Sequence, residues 1–228
     1  MRAADLALAR LLRLASPILP VGAFSYSQGL EAAIEHGWVK DESTAQAWIG
    51  DVLSLSLGRF EAPIWCRLYA AWAADDSDSV RWWNDLFLAA RETAEFRAET
   101  RQMGYSMRVL VLDCGEFEAA RCAALCALAE PAFPTVFSFA CAAWAIPRRA
   151  ALLAYLWAWI ENQVTASMKS IPLGQTAGQR LLGRLSEQLP EVVDAALEMG
   201  DEDLSNCAPR LTIASCRHEA QYSRLFRS

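Results

Sequence analysis

Apolar residues in this chain recur with the period of an α-helix, and nowhere with the period of a strand. Ala45, Trp48, Ile49, Val52 and Leu53 follow the i, i+3, i+4 spacing of one helix face. Leu153, Leu156, Trp157, Ile160 and Val164 do the same, and Leu181, Leu182, Leu185 and Leu189 make a further stripe. No alternating run bounded by hairpin turns interrupts them. The segment RETAEFRAETRQMG at 91–104 is rich in strong helix formers, and its spacing sets Arg91 and Glu95 one turn apart as an i, i+4 pair. The pattern predicts an all-α protein: a single compact multi-helix domain of about eight to ten helices over 1–205, followed by a C-terminal tail at 206–228.

Breaks between helices fall at Pro17, Pro20 and Gly22, at Asp75 to Asp78, at Cys114-Gly115, at Pro131 to Pro134, and at Pro147. Further breaks are Ile171-Pro172-Leu173-Gly174 and the stretch from Gly200 to Pro209. Two apolar runs, 132–146 and 150–160, are divided by Pro147, Arg148 and Arg149. Each is shorter than the roughly 20 residues that span a bilayer, so both read as buried core helices and no membrane partner is expected. Arg10 and Arg13 inside the first apolar run argue against a secretory signal.

Apolar residues make up 54% of the chain, with nine tryptophans, which is more than an ordinary core needs. Part of that excess is expected on a surface kept for partners. The formal charge of −6 offers no basic face for nucleic acid. Charge is unevenly placed: Glu191, Asp194, Glu198, Asp201, Glu202 and Asp203 precede a tail with Arg210, Arg217, Arg224 and Arg227 opposed only by Glu219. A basic tail on an acidic protein suits an acidic partner. Seven cysteines, an odd number scattered in apolar sequence, read as reduced and buried thiols of a cytoplasmic protein.

Groups that do chemistry are scarce. There are two histidines, His36 and His218. Ser25 stands where a nucleophile elbow needs glycine, so Ser25 and Ser27 read as turn or capping residues. Cys122 and Cys126 lie one turn apart among alanines, as small core residues do. Cys216 and His218 are the nearest pair of metal-ligating types, a weak candidate with no second cluster to complete four ligands. No phosphate-binding glycine motif is present. No enzyme, no stably bound cofactor and no resident metal site are expected.

Three stretches carry a resemblance: LASPILPVGAFSYSQGLEAAIEHGWV at 14–39, RETAEFRAETRQMG at 91–104 with MKSIPLGQTAGQRLL at 168–182, and RHEAQYSRLFRS at 217–228. The sequence resembles the UreF family of urease accessory proteins over nearly its whole length. The resemblance implies an all-α protein that forms a homodimer and binds a second accessory protein, UreD or UreH. That pair would recruit UreG, a GTPase that carries nickel, to apo-urease, whose lysine is carbamylated and whose nickel is inserted. Nickel is then handled by the complex, and the chain scaffolds without catalysis of its own. The alternative is a GTPase-activating protein or a gate acting on UreG.

Within that picture Gln28 and Glu31 are expected to be exposed and to face UreG, together with Lys169, Pro172, Gly174 and Gln175 in the loop after 169. Lys169 is one of only two lysines beside 19 arginines. Phe24 and Tyr26, two apart, would point the same way if the chain there is extended. Arg217, His218, Tyr222, Arg224, Leu225, Phe226 and Arg227 are expected to dock on UreD or UreH. A helical tail would put Tyr222, Leu225 and Phe226 on one face.

Overall fold

A computed structural model describes residues 2–228, without the side chain of Ala3. Its described residues are helical throughout, with no strand. Among the described residues twelve α-helical segments occur; the expected eight to ten are reached by the longer ones, and short pieces such as α2 (Leu30–Glu35) and α7 (Ala119–Cys126) make up the rest. None is long and apolar enough to cross a membrane.

Local chemistry sets several starts. Asp41 caps α3 (Glu42–Val52) with a reciprocal capping box to Thr44. Asp76 caps α5 (Ser77–Ala89), so most of the polar stretch read as a loop at Asp75–Asp78 is a helix start. Thr93 caps α6 (Ala94–Asp113), which leaves Arg91 outside the helix and removes the expected Arg91–Glu95 pair. α3 does not end at Val52. It continues through a π-helical stretch, Leu53–Glu61, into α4 (Ala62–Ala73).

The core sits where α4, α8 (Phe133–Ala143) and α9 (Arg148–Ser170) meet. Trp65, Leu68, Phe137 and Leu156 are buried there. The two apolar runs that the sequence assigns to core helices are α8 and α9. α6 lies against α8, and Gly104 allows this: a methyl group at that position would overlap the carbonyl oxygen of Pro131 and the backbone of Ala132. α9 is the long central rod, touching α1 (Arg2–Leu14), α2, α10 (Gln175–Ser186) and α11 (Leu189–Glu198) as well.

The segment 206–228 is not an appendage. α12 (Pro209–Glu219) packs on α2 and α6, and the chain beyond it leaves helical geometry and returns over the domain. The seven cysteines are free, but only Cys66 and Cys141 are buried; Cys114, Cys126, Cys207 and Cys216 are exposed and Cys122 is intermediate. Helical periodicity alone did not say which face of each helix lacked a neighbour.

Candidate partner-docking site

The N-terminal segment before α2 is built from turns. Ala23–Ser25 is a single 3-10 turn, not extended chain, so Phe24 and Tyr26 diverge: Phe24 is 63% exposed and Tyr26 is buried. Gly29 takes a left-handed conformation at φ 77°, and a Cβ there would press on Ala214 and Ser215 of α12. Glycine thus lets the start of α2 approach α12 closely.

Gln28 and Glu31, expected to face a partner, are turned inward. Gln28 is itself left-handed at φ 52°, a strained choice for a residue with a side chain. Its amide is used at both ends: Nε2 donates to Glu99 Oε1 at 2.6 Å, and Oε1 accepts from Trp159 Nε1 at 2.6 Å. Glu31 accepts from the backbone amides of Leu225 and Phe226 at 2.6 and 2.9 Å. Glu31 also faces His218 Nε2 at 3.1 Å, and Glu95 faces Nδ1 of the same ring at 2.8 Å. Arg224 adds a bond from Nη1 to Glu95 Oε1 at 3.0 Å.

These bonds bind the C-terminal segment to the domain. The Arg227 amide donates to Ser25 O at 2.8 Å, and the Ser27 amide donates to Ser228 O at 2.8 Å. Ser228 Oγ donates to Glu99 Oε2 at 2.8 Å. Phe226 is buried, while Tyr222 is fully exposed and Leu225 is 63% exposed. The segment is not helical, so the expected common face of Tyr222, Leu225 and Phe226 does not form. His218 is wholly buried and Cys216 exposed, so this weak metal pair is not assembled. Arg217 is exposed and lies, with Arg210, against the Trp38 ring at 5.4 and 5.2 Å from its centroid.

Lys169, Pro172, Gly174 and Gln175 are exposed, as expected of a surface loop. Lys169 Nζ stands 5.9 Å from the centre of the Phe226 ring. Lys169, at the end of α9, thus lies beside the C-terminal segment, although the sequence assigns the two to different partners.

Beneath this face is a cavity of about 140 Å³. Leu14, Leu19, Phe96, Met103 and Phe133 give it apolar walls. Its polar lining includes Gln28 and a group of residues that sequence reasoning missed: Glu61, Arg91, Glu99 and Tyr155. Arg91 forms an ion pair with Glu61. Tyr155 donates its hydroxyl to Glu61 Oε1 at 2.5 Å. Burial, reinforced by the Glu61 charge, pushes the Tyr155 phenol well up, so it stays a neutral donor. Burial pushes the Glu99 carboxyl up to about 7, against the opposing pull of its bonds from Gln28 and Ser228. Glu61 had one sequence signal, a lone acid in an apolar run; Glu99 had none, since it sits in a segment full of charge.

His218 does stand beside two acids, yet it does not line the cavity and has no exposed surface. His36 is on the surface, its Nδ1 2.9 Å from the Ala32 carbonyl oxygen. Among the described residues no group of three or more His, Cys, Asp or Glu has the arrangement of a metal site.

The fold and site define a class: an all-α protein whose buried polar groups bind its C-terminal segment to its N-terminal turns and present exposed aromatic and apolar side chains above them. Comparison with known proteins makes this specific. The UreF family model matches residues 39–186. A urease accessory protein UreF of Azoarcus sp. (strain BH72) is 56% identical over 225 residues, covering 98% of this chain and 96% of its own. The UreF protein of Methylobacillus flagellatus is 52% identical over 221 residues, 97% of each chain. A bifunctional urease accessory protein UreEF of Bordetella bronchiseptica is 51% identical over 97% of this chain, which spans 52% of that longer protein. The chain belongs to the UreF family of urease accessory proteins. The family model stops short of both ends, where the docking face is built, whereas the likeness to these two UreF proteins spans 97% and 98% of the chain.

Proposed function

We propose that the chain is a cytoplasmic scaffold of urease maturation, which holds a UreD/UreH-like accessory protein and the GTPase UreG on apo-urease while nickel is inserted and the active-site lysine carbamylated. Nickel is cargo of the assembly, and the chain contributes shape and contacts, not catalysis. A second copy of the chain completes the scaffold as a homodimer. The observation that carries this reading is the docking face itself. Phe24, Tyr222 and Leu225 stand exposed on a turn and a segment that are pinned from below by Glu31, Glu95 and Glu99. A surface ordered in advance loses little conformational freedom when a partner arrives. Tyr222, Arg217 and Arg227, all exposed and within one short stretch of chain, are of the residue types that dominate interface hot spots.

Co-purification tests this. Tyr222→Ala combined with Leu225→Ala removes exposed side chains only, so melting should be unchanged. Recovery of the UreD/UreH-like protein should fall at least about tenfold, the effect of roughly 1.4 kcal/mol. Undiminished recovery overturns the assignment. Lys169→Ala should likewise leave the fold intact and lower urease activation. Measuring UreG turnover with and without the chain separates scaffold from activator: little change or a slowing fits the scaffold, while a large acceleration would make the chain an activating protein instead.

A further inference from the structure

The three carboxylates under the C-terminal segment are not equivalent. Glu31 and Glu95 face the His218 ring and, for Glu95, the Arg224 guanidinium. Glu99 is held only through neutral donors: the Ser228 hydroxyl of the segment and the Gln28 amide of the N-terminal turn. Among the described residues no Lys, Arg or His stands within ion-pair distance of it: the cations nearby are paired with another acid or lie against a ring. Glu61, from the π-helical stretch, and Arg91, ahead of α6, are paired with each other. Tyr155 on α9 donates to Glu61, and Trp159 on α9 donates to Gln28. Tyr26, from the N-terminal turn, is a phenol pushed up by burial, with Arg227 beside it. Lys169 lies on the Phe226 ring. The Ser228 main-chain oxygen is taken by the Ser27 amide and hydroxyl. Closing the segment over Glu99 therefore takes a carboxyl group out of water without giving it a cation of its own.

We propose that Glu99 is a proton-operated latch on the C-terminal segment: protonated, it stays buried and the segment lies closed over it; ionised, it draws water and the segment lifts from the Phe226–Ser228 end. His218 and Arg224 remain clamped to Glu31 and Glu95, so α12 keeps its place while the end of the chain opens. The physical reason is desolvation: the closed state tolerates the neutral acid and disfavours the anion. Linkage fixes the direction. The closed state binds the proton more tightly, so rising pH drains it in favour of the open one. Opening would also connect the cavity to the docking face, because Glu99 and Gln28 border both. The latch concerns this chain alone and stands whichever partner the face binds.

Amide exchange in the full-length protein tests it, read as protection factors so that the intrinsic pH dependence of exchange cancels. The reporters are the Arg227 and Ser27 amides, which bridge the segment to the N-terminal turn. Their protection should fall by up to about tenfold per pH unit below pH 7 and then level off. In Glu99→Gln the fall should vanish. A flat profile in the unaltered protein, or the same fall in Glu99→Gln, overturns the latch. A reciprocal measurement does not depend on that variant folding: the Glu99 carboxyl carbon, followed by NMR, should titrate above the ordinary carboxylate range. In Phe226→Ala, which loosens the segment, the midpoint should move down toward the ordinary carboxylate range. A midpoint unmoved by Phe226→Ala overturns the latch.

Discussion

Glu99 illustrates how far a single residue's behaviour depends on what covers it. In the unfolded chain it ionises near 4.5, and in the fold near 7. Between those values the native state carries a proton that the unfolded state has lost, so stability falls as pH rises. Above about 7 both states are ionised and the loss is complete. The full effect is on the order of 3 kcal/mol. Glu99→Gln keeps a group that can accept from Gln28 and donate to Ser228, and it has no charge to bury. Thermal melting of this variant should therefore overlay the unaltered protein at pH 5 and exceed it at pH 8. Equal melting of the two proteins at pH 8 would show that the buried carboxylate costs nothing.

At the scale of elements, what matters is where helices come close and where they depart from regular winding. Gly104 is the contact point of α6 with the turn that starts α8, and a Cβ there meets backbone atoms, which cannot rotate away as a side-chain tip can. Gly104→Ala should cost roughly 3 kcal/mol or more, the range of severe overpacking, measured by urea denaturation. A loss below about 1 kcal/mol would mean that α6 and α8 slide apart freely. The π-helical stretch Leu53–Glu61 has a related consequence. Its extra residue per turn changes the direction of every side chain after it, and Glu61 at its end reaches Arg91 and Tyr155. A sequence read at a uniform 3.6-residue period carries no mark of that shift, which is one reason the Glu61 cluster was invisible.

For the whole molecule, the C-terminal segment closes the structure. It buries Phe226 and Ser228, and it meets Glu31, Glu95 and Glu99 from two different helices. Removing 217–228 should therefore unfold more than a tail. With the segment gone, Glu31 and Glu95 lose their bonds to His218, Arg224 and the Leu225 and Phe226 amides, and the burial of Phe226 is lost. The melting temperature should drop by several degrees or more, and an unchanged melting curve would show that the segment is only loosely attached. Loss of partner binding in such a truncation carries no meaning by itself, whereas Tyr222→Ala with Leu225→Ala separates docking from folding. The sequence alone determined that this protein is helical and where most helices break, because apolar period, proline and capping residues act within a few neighbours. It also carried the family, through the segments 14–39 and 217–228, and it marked Lys169 and the loop after it as surface. Only the tertiary structure decided that Gln28 and Glu31 turn inward, that the tail folds back and that Glu99 is buried without a cation. Each of those depends on residues more than seventy positions apart being brought together, and a local pattern holds no information about which distant group will cover it.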